Sequence, residues 1–236
     1  MNRTQLELEP GLVLDARRAV WLARERALVL ADLHLGYAWT HRLAGQLLPL
    51  AADDALARLD TLVGEFAPEQ LVLLGDVLHG APAGEETLAE LRRLVLEIGG
   101  RAPLRIVEGN HDFALAAALR RLGLSVPLEP RLELGPHLLL HGHTPDDAAA
   151  ARLLREAAHR GGRVIFGHEH PAVQLSDGVA TSARCPCFVG GAGALVLPCF
   201  TRWSTGSHAA RGWLSPLGRA MREQRRIAIV AGKLLG

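Results

Sequence analysis

Five short stretches of the sequence carry side chains of the kinds that bind metal ions, and each follows an apolar segment. They are Asp32-Leu33-His34, Gly75-Asp76-Val77-Leu78-His79, Gly109-Asn110-His111-Asp112, His141-Gly142-His143 and Gly167-His168-Glu169-His170. A single stretch of this kind could be a turn, because Gly and Asn both tolerate left-handed backbone geometry. Five of them in one chain favour a shared site over five unrelated turns.

Seven side chains in these stretches form the candidate ligand set: Asp32, His34, Asp76, Asn110, His141, His168 and His170. Oxygen and imidazole ligands without a thiolate suit Mn²⁺, Fe²⁺ or Zn²⁺ better than Ca²⁺. Seven ligands exceed the needs of one ion and are enough for two ions that share a carboxylate. Two divalent ions roughly 3.5–4 Å apart can clamp the attacking and leaving oxygens of a phosphoryl displacement. The set therefore predicts a two-metal hydrolytic centre.

The apolar segments before the motifs predict strands that deliver the ligands at the edge of a sheet. These strands are predicted at residues 27–31, 70–75, 104–108, 137–140 and 164–166. Helical spacing is present at residues 50–66 and 85–98, and a third helix capped by Asp146 or Asp147 is predicted to run to His159. Open α/β sheets place ligands outside the carboxyl ends of their strands. The five motifs can therefore converge although they are far apart in the chain.

Other strands are predicted without intervening helices, mostly towards the two ends of the chain. They are residues 5–9, 12–14, 19–22, 124–128, 172–175, 179–189, 194–200 and, as a last edge strand, 227–230. Strand–helix alternation followed by strands alone indicates one α/β unit with two stacked sheets. We therefore expect a single domain that spans residues 1–236.

The composition resembles that of an ordinary soluble protein, with 49% hydrophobic residues and a formal net charge of +1. So small a net charge gives no global electrostatic signature of nucleic-acid binding. Residues 1–10 lack the apolar core of a signal peptide, and no run approaches the roughly 20 apolar residues of a membrane helix. We therefore expect a cytoplasmic location and no membrane association.

Three cysteines, Cys185, Cys187 and Cys199, allow an alternative metal site together with His208. The Cys-Pro-Cys spacing is one residue shorter than the Cys-x2-Cys knuckle that wraps a tetrahedral zinc ion. The favoured interpretation is that all three cysteines are small buried hydrophobic residues.

In order along the chain, Asp-x-His, Gly-Asp-x-x-His, Gly-Asn-His-Asp, His-x-His and Gly-His-x-His resemble the motifs of the calcineurin-like metallophosphoesterase superfamily. The resemblance covers residues 27–171 directly, and the strand-rich segment to residue 200 is compatible with it. It implies a four-layer α/β/β/α sandwich of two stacked mixed sheets flanked by helices. The runs 31–36 and 167–171 and the Pro-Cys-Phe pair at 186–188 and 198–200 further resemble the ligase-associated DNA damage response endonucleases (PdeM).

The resemblance also implies a role for each matching residue. Of the candidate ligands, it assigns Asp32, His34 and His170 to one ion, Asn110, His141 and His168 to the other, and Asp76 to a bridge between them. His111 would contact a phosphate oxygen and protonate or stabilise the leaving group, with Asp112 close by. An imidazole near two cations and an anionic ester can donate a proton near neutral pH.

Two departures from the superfamily pattern leave roles open. The second motif usually ends in Asp but here ends in His79, so an acceptor is replaced by a group that could donate or become an extra ligand. In the fourth motif either imidazole could be the ligand. We favour His141 because it directly follows the predicted strand, with His143 lining the substrate side.

The C-terminal tail, residues 202–236, contains seven basic residues and a single acidic one, the only charge asymmetry in the chain. The simpler interpretation is a solvated amphipathic helix at residues 217–226. The alternative is contact with a phosphate backbone through three of the basic residues, Arg222, Arg225 and Arg226. The tail is expected to pack on the domain.

Together these features predict a divalent-metal phosphodiesterase or nuclease, with Mn²⁺ favoured over Fe²⁺ or Zn²⁺. By resemblance it would act on single-stranded or damaged DNA during repair, through direct attack of a metal-bridging hydroxide, beside repair proteins such as a ligase or a helicase. Trp203 and Trp213 could stack on bases of a single strand or anchor their loop. The alternatives are a small-molecule phosphomonoesterase or nucleotide diphosphatase of the same superfamily and, from a different class, a non-catalytic partner-binding scaffold.

Overall fold

Two mixed β-sheets form the centre of the molecule. The computed structural model describes residues 3–46, 48, 54–81, 84–176, 178–179, 182–204, 206–208, 212–222 and 224–236. The first sheet has its strands in chain order: β1 (Gln5–Glu9), β2 (Leu12–Asp15), β3 (Ala19–Leu22), β4 (Ala27–Leu30), β5 (Gln70–Leu74), β6 (Leu104–Val107) and β7 (Leu128–Glu129). Neighbours from β1 to β4 are antiparallel, and those from β4 to β7 are parallel.

The second sheet is built from the later half of the chain. Its strands are β8 (Leu132–Leu134), β9 (His137–Leu140), β10 (Val164–Phe166), β11 (Pro171–Ser176), β12 (Ser182–Gly191), β13 (Ala194–Val196) and β14 (Ser207–His208). They lie in the order β14-β11-β12-β13-β10-β9-β8, with β9, β10 and β13 parallel. β15 (Arg225–Val230) pairs with β12 and with β16 (Lys233–Leu235), so the basic tail contributes strands to this sheet.

Six α-helices accompany the sheets in the described residues: α1 (Tyr37–Leu43), α2 (Ala55–Phe66), α3 (Glu85–Arg93), α4 (Leu115–Arg121), α5 (Asp147–His159) and α6 (Pro216–Ala220). α3 continues into a π-helical turn at Leu94–Ile98, and a 3₁₀ turn at Asp112–Ala114 precedes α4. The side chain of Asp146 caps α5 by accepting a hydrogen bond from the backbone of Ala149, as the sequence predicts. Among the described residues, none of these helices has the length and apolarity needed to traverse a lipid bilayer.

The apolar strand β4 shows how the layers are held together. Its residues alternate between two cores, because successive side chains of a strand point to opposite faces of the sheet. Leu28 and Leu30 belong to a core shared with α2 and α3, whereas Ala27 and Val29 belong to a core shared with β9, β10 and β13 of the second sheet. α5 contributes buried residues to that same core. The arrangement confirms the predicted four-layer α/β/β/α sandwich.

Three local predictions are wrong. The helix predicted at residues 217–226 is limited to the short α6, because residues from Arg225 onward belong to β15. The strand at 227–230 is not at an edge, since β15 lies between β12 and β16. The strand at 124–128 is reduced to β7. Residues 50–53 of the helix predicted at residues 50–66, and residues 180 and 181 of the strand predicted at residues 179–189, lie outside the described residues.

The carboxyl ends of β4, β5, β6, β9 and β10 meet where the two sheets touch. Ala31, just after β4, forms a parallel bridge with Cys199, and its carbonyl oxygen accepts a hydrogen bond from the backbone of Phe200. The core shared by the two sheets supports the expectation of a single domain over residues 1–236, which stays a prediction.

Candidate metal centre

The turns that follow the strands have unusual backbone geometry. Nine described non-glycine residues have positive φ angles, and five of these are candidate ligands: Asp32 (58°), His34 (48°), Asp76 (47°), His168 (66°) and His170 (44°). Left-handed geometry costs roughly 1–2 kcal/mol for each non-glycine residue. Such residues persist where the surrounding structure holds them in place, and they concentrate at functional sites. Their concentration in these turns marks the edge as a candidate site.

Three glycines let the turns approach one another closely. A Cβ atom on Gly109 would overlap the backbone nitrogen of Asp76. A Cβ atom on Gly167 would lie 2.5 Å from the Cβ of Ala31, and one on Gly75 would lie 2.8 Å from the Cα of Gly109. These separations are too short for real side chains, so the ligand-bearing turns need glycine at all three positions.

Four ligand candidates form what we call the inner cluster: Asp32, His34, Asp76 and His170, whose donor atoms all lie within 4.8 Å of one another. Nε2 of His170 is 3.4 Å from Oδ1 of Asp32 and 3.4 Å from Nε2 of His34. Nε2 of His34 is 3.8 Å from Oδ2 of Asp76. The two carboxylates are buried, with 0% and 2% of Asp32 and Asp76 exposed.

A second group, which we call the outer cluster, contains Asp76, His141, His168 and Asn110. The donor atoms of the first three lie within 4.8 Å of one another, and Oδ1 of Asn110 is 3.0 Å from Nε2 of His141. That same Nε2 is 3.4 Å from Oδ1 of Asp76. Asp76 therefore belongs to both clusters, with one carboxylate oxygen towards each.

Two imidazoles are fixed by hydrogen bonds at the nitrogen that faces away from the clusters. Nδ1 of His141 donates to the carbonyl oxygen of Leu74 at 2.9 Å, and Nδ1 of His170 lies 2.9 Å from the hydroxyl oxygen of Ser204. Metal-binding histidines usually have their second ring nitrogen fixed in this way, which sets the tautomer and the ring orientation. The Nε2 atoms are left pointing into the clusters.

Two groups of the inner cluster, Asp32 and His34, are in the charge state that binds metal, whereas His170 holds a proton. Burial opposes ionisation of Asp32, but the imidazoles of His170 and His141 outweigh it and lower its pKa to about 2. Burial lowers the pKa of His34 to about 3, so this ring is neutral at pH 7. Burial acts to lower the pKa of His170, but the charge of Asp32 outweighs it and raises this pKa well above its ordinary value. A metal ion would have to displace that proton on binding.

His111 and Asp112 lie beside the clusters but differ in what their side chains contact. The backbone N–H of His111 donates to Oδ1 of Asp76 at 2.9 Å, and its Nδ1 donates to the carbonyl oxygen of His79 at 3.2 Å. The buried carboxylate of Asp112 accepts hydrogen bonds from the backbone of Leu78 and Gly109 at 3.1 and 2.9 Å, and burial raises its pKa to about 6. The Asp112 carboxylate is thus engaged in joining two ligand turns.

His79 and His143, whose roles the sequence leaves open, lie in different surroundings. His79 is half-buried, with its ring stacked at 5.8 Å on His111 and its Nδ1 3.4 Å from Nδ1 of His34. Burial, followed by the neighbouring His111, lowers its pKa to about 4. His143 is exposed at the rim, 5.2 Å from the His141 ring. In the described part of the chain, neither belongs to a group with metal-ligand geometry.

The five motifs do not reveal the roles of three residues of the site. Ser204 fixes His170, and Cys199, which is buried, forms a further close group with His34 and His170. Glu169, also buried, points away from the clusters, and its two oxygens accept hydrogen bonds from the backbone of Leu214 and Ser215 at 2.9 and 2.7 Å. The motif Gly-His-Glu-His places Glu169 between two ligands, but it does not reveal that the Glu169 side chain binds the backbone of the C-terminal tail.

Cys185 and Cys187 are buried and free, and neither belongs to a metal-ligand group within the described residues. Burial raises the pKa of the Cys187 thiol to about 12, which keeps it protonated. These two cysteines behave as small hydrophobic residues, as the sequence favours for all three, whereas Cys199 also lies within a possible metal-ligand group.

The three tail arginines are not brought to the clusters. The carbonyl oxygen of Arg222 accepts a hydrogen bond from Ala192, in the turn before β13, and that turn lies at the end of the sheet away from the ligand turns. Arg225 and Arg226 are exposed on β15, in register with Gly190 and Val189. Their contact with a nucleic acid stays a prediction.

Comparisons with known proteins agree with this geometry. The calcineurin-like phosphoesterase superfamily domain matches residues 26–189, which is most of the chain. The crystal structure of Pseudomonas putida nuclease MPE is similar, with a TM-score of 0.66, 27% sequence identity and 97% of each chain covered. No curated protein gives a significant match. The motifs, the two clusters and the family match lead to one conclusion: this chain belongs to the calcineurin-like phosphoesterase superfamily and is a metal-dependent hydrolase.

Proposed function

We propose that the protein is a two-metal phosphodiesterase that hydrolyses DNA and acts in DNA repair, with Mn²⁺ as its metal. The observation that carries the proposal is the position of Asp76, whose carboxylate faces both clusters at once. In this assignment Asp32, His34 and His170 hold one ion, and Asn110, His141 and His168 hold the other. Oxygen and imidazole donors of this kind fit Mn²⁺.

Two divalent ions at these clusters would supply Lewis-acid stabilisation of the phosphoryl oxygens and activation of a water nucleophile. The overall reaction forms a bond from the water oxygen to phosphorus and breaks the bond from phosphorus to the leaving ester oxygen. No covalent enzyme intermediate is required, because the nucleophile comes from solvent.

His111 is assigned to the leaving group. Its Nδ1 holds a proton on the carbonyl oxygen of His79, so Nε2 is the nitrogen that can meet the substrate. Protonated at both nitrogens, the ring can bind a phosphate oxygen and pass the Nε2 proton to the departing oxygen. Asp112 acts as a positioning residue, because its carboxylate holds the turn that carries His111.

The choice of DNA rests on two supports. The similar crystal structure is that of a nuclease, and the cleft beside the inner cluster is lined by Tyr37 and Trp203 as well as by imidazoles. Aromatic side chains are the usual stacking platforms for single-stranded nucleic acid. The tail arginines support the choice less, since they lie away from the clusters.

A substrate and metal screen tests the proposal. With Mn²⁺ we expect hydrolysis of single-stranded DNA and of bis-p-nitrophenyl phosphate, and chelation should abolish both. His111→Ala should lower kcat by roughly 10²–10⁴-fold, whereas His159→Ala, at an exposed helix end, should have no effect. Faster hydrolysis of phosphomonoesters or nucleoside diphosphates would favour the small-molecule alternative. A purified protein that binds no metal and hydrolyses none of these substrates would revive the scaffold alternative.

A further inference from the structure

Two aromatic rings stand parallel at the mouth of the candidate metal centre. The rings of Tyr37, at the start of α1, and Trp203, in the loop after Phe200, have an interplanar angle of 1° and a centroid separation of 6.4 Å. Both residues are half-buried and line a cleft beside the inner cluster. We call them the aromatic pair.

The aromatic pair lies where two cavities meet. A cleft of about 450 Å³ is lined by His34, His111 and His170 together with both rings of the pair. A second cavity of about 280 Å³ also contains His34 and the pair, and extends to Trp39 and Arg93. Both cavities share His34 and the aromatic pair, so a chain with a phosphate at the inner cluster that extends from one cavity into the other would run alongside these two rings.

The pair contacts residues that surround the candidate ligands. The ring of Tyr37 lies 4.5 Å from that of His79 and 4.2 Å from that of His41. The backbone of Trp203 donates to the hydroxyl of Thr201, and the next residue, Ser204, contacts Nδ1 of His170. Because one neighbour of Trp203 fixes a candidate ligand, the position of the indole is tied to that of the inner cluster.

We propose that the aromatic pair is the subsite for one nucleobase of a single-stranded polynucleotide, adjacent to the phosphate that is cleaved. The inference rests on the proposed function and adds the element of the substrate that it recognises. Every base has an aromatic face, so stacking at this subsite selects for an unpaired base rather than for a particular sequence. A base in a duplex is already stacked and paired, so the subsite favours single strands or unpaired ends.

The test compares binding of two short single-stranded oligonucleotides in EDTA, one of thymidines and one of abasic sugars of equal length. The two carry the same phosphate charge, so backbone attraction is matched between them. The wild-type protein is expected to bind the thymidine strand roughly tenfold to a hundredfold more tightly. Trp203→Ala and Tyr37→Ala should remove most of this preference, and Trp203→Phe should keep most of it.

Trp213→Ala is the matched control, because Trp213 is a half-buried tail tryptophan that packs against Gly218 and does not line either cavity. This variant should keep the preference for thymidine. The inference is overturned if the wild-type protein binds both strands equally or if Trp203→Ala retains the full preference. Because the measurement needs neither metal nor hydrolysis, a base preference in a protein that cleaves no DNA would count against the proposed function alone.

Discussion

The inner and outer clusters share Asp76 but differ in how far the protein encloses them. In the inner cluster Asp32 is fully buried, Cys199 packs behind the ligands, and Ser204 fixes His170. In the outer cluster His141 is also buried and His168, like His170, is half-buried, but Asn110 is exposed. An ion among enclosed, prearranged ligands exchanges slowly, whereas one at an open cluster can meet solvent and substrate. We therefore expect the inner ion to be the more firmly held of the two.

Replacing the shared carboxylate should have the largest effect, because it weakens both clusters at once. Two-metal stabilisation is worth several kcal/mol in the transition state, so Asp76→Asn should lower kcat for bis-p-nitrophenyl phosphate by roughly a thousandfold or more. Metal content measured after gel filtration should fall at both sites. Asp60→Asn is the control, since Asp60 is a surface carboxylate paired with Arg101, and it should leave activity and metal content unchanged. Normal activity in Asp76→Asn would remove the basis for a shared bridge.

Replacing one ligand from each cluster tests the difference between them directly. Asn110→Ala should retain the inner ion through gel filtration, and added Mn²⁺ should restore much of its activity. His34→Ala should lose the inner ion, and its apparent affinity for Mn²⁺ should fall by at least roughly 10–100-fold, the range found even for residues that only support a ligand. Metal analysis and Mn²⁺ titration of activity measure both quantities. If the two variants lose the same ion with the same affinity change, the distinction between the clusters is wrong.

Releasing the tail from the inner cluster should have a smaller effect. In Glu169→Gln the amide cannot accept from both backbone N–H groups of residues 214 and 215 as the carboxylate does. Hydrogen bonds to a charged group contribute roughly 1.5–3 kcal/mol, so Tm should drop by several degrees and the inner ion should exchange faster. Thermal unfolding with and without Mn²⁺ measures both. Glu97→Gln, at an exposed carboxylate, should change neither, and an unchanged Tm in Glu169→Gln would show that the tail is held elsewhere.

The smallest effect is expected at Asp15, which lies at the end of β2 and is not a candidate ligand. Its buried carboxylate accepts hydrogen bonds from Arg17 and Gln5, and these outweigh burial and lower its pKa. The stabilisation is therefore present above the unfolded-state pKa of about 3.9 and is lost as pH falls through the lower folded-state pKa.

Asp15→Asn should lower the free energy of unfolding by roughly 1.5 kcal/mol at pH 7, with no change in metal content. Thermal unfolding of both proteins from pH 7 to pH 3 should show the difference shrinking in acid. A difference that grows as pH falls would contradict the assigned pKa direction.

The comparison also shows which parts of the centre a sequence reveals. β4 and β5 could be predicted because strands covered on both faces are continuously apolar, and the rule for carboxyl ends of strands then places Asp32 and Asp76 together. Ser204 and Glu169 could not be found in this way, because their roles depend on where the tail loop returns to the sheet. That return is set by pairing between distant strands, which leaves no local pattern.

The tail shows the same limit in the secondary structure. The spacing of Arg219, Arg222 and Arg226 imitates a helical face, but Ile227 and Ile229 are buried against the second sheet, where β15 pairs with β12. Burial of these two residues outweighs the local pattern. α1 was not predicted, because in Tyr37–Leu43 no residue is buried and no apolar stripe marks the helix.

The three glycines between the ligand turns have a consequence for judging relatives of this protein. Gly75, Gly109 and Gly167 donate no atom to an ion, yet a methyl group at any of them would force neighbouring turns apart. A homologous gene could thus keep every histidine and carboxylate and still encode an inert protein after one such exchange. Surveys that infer activity from intact ligands should therefore examine these three positions with equal care.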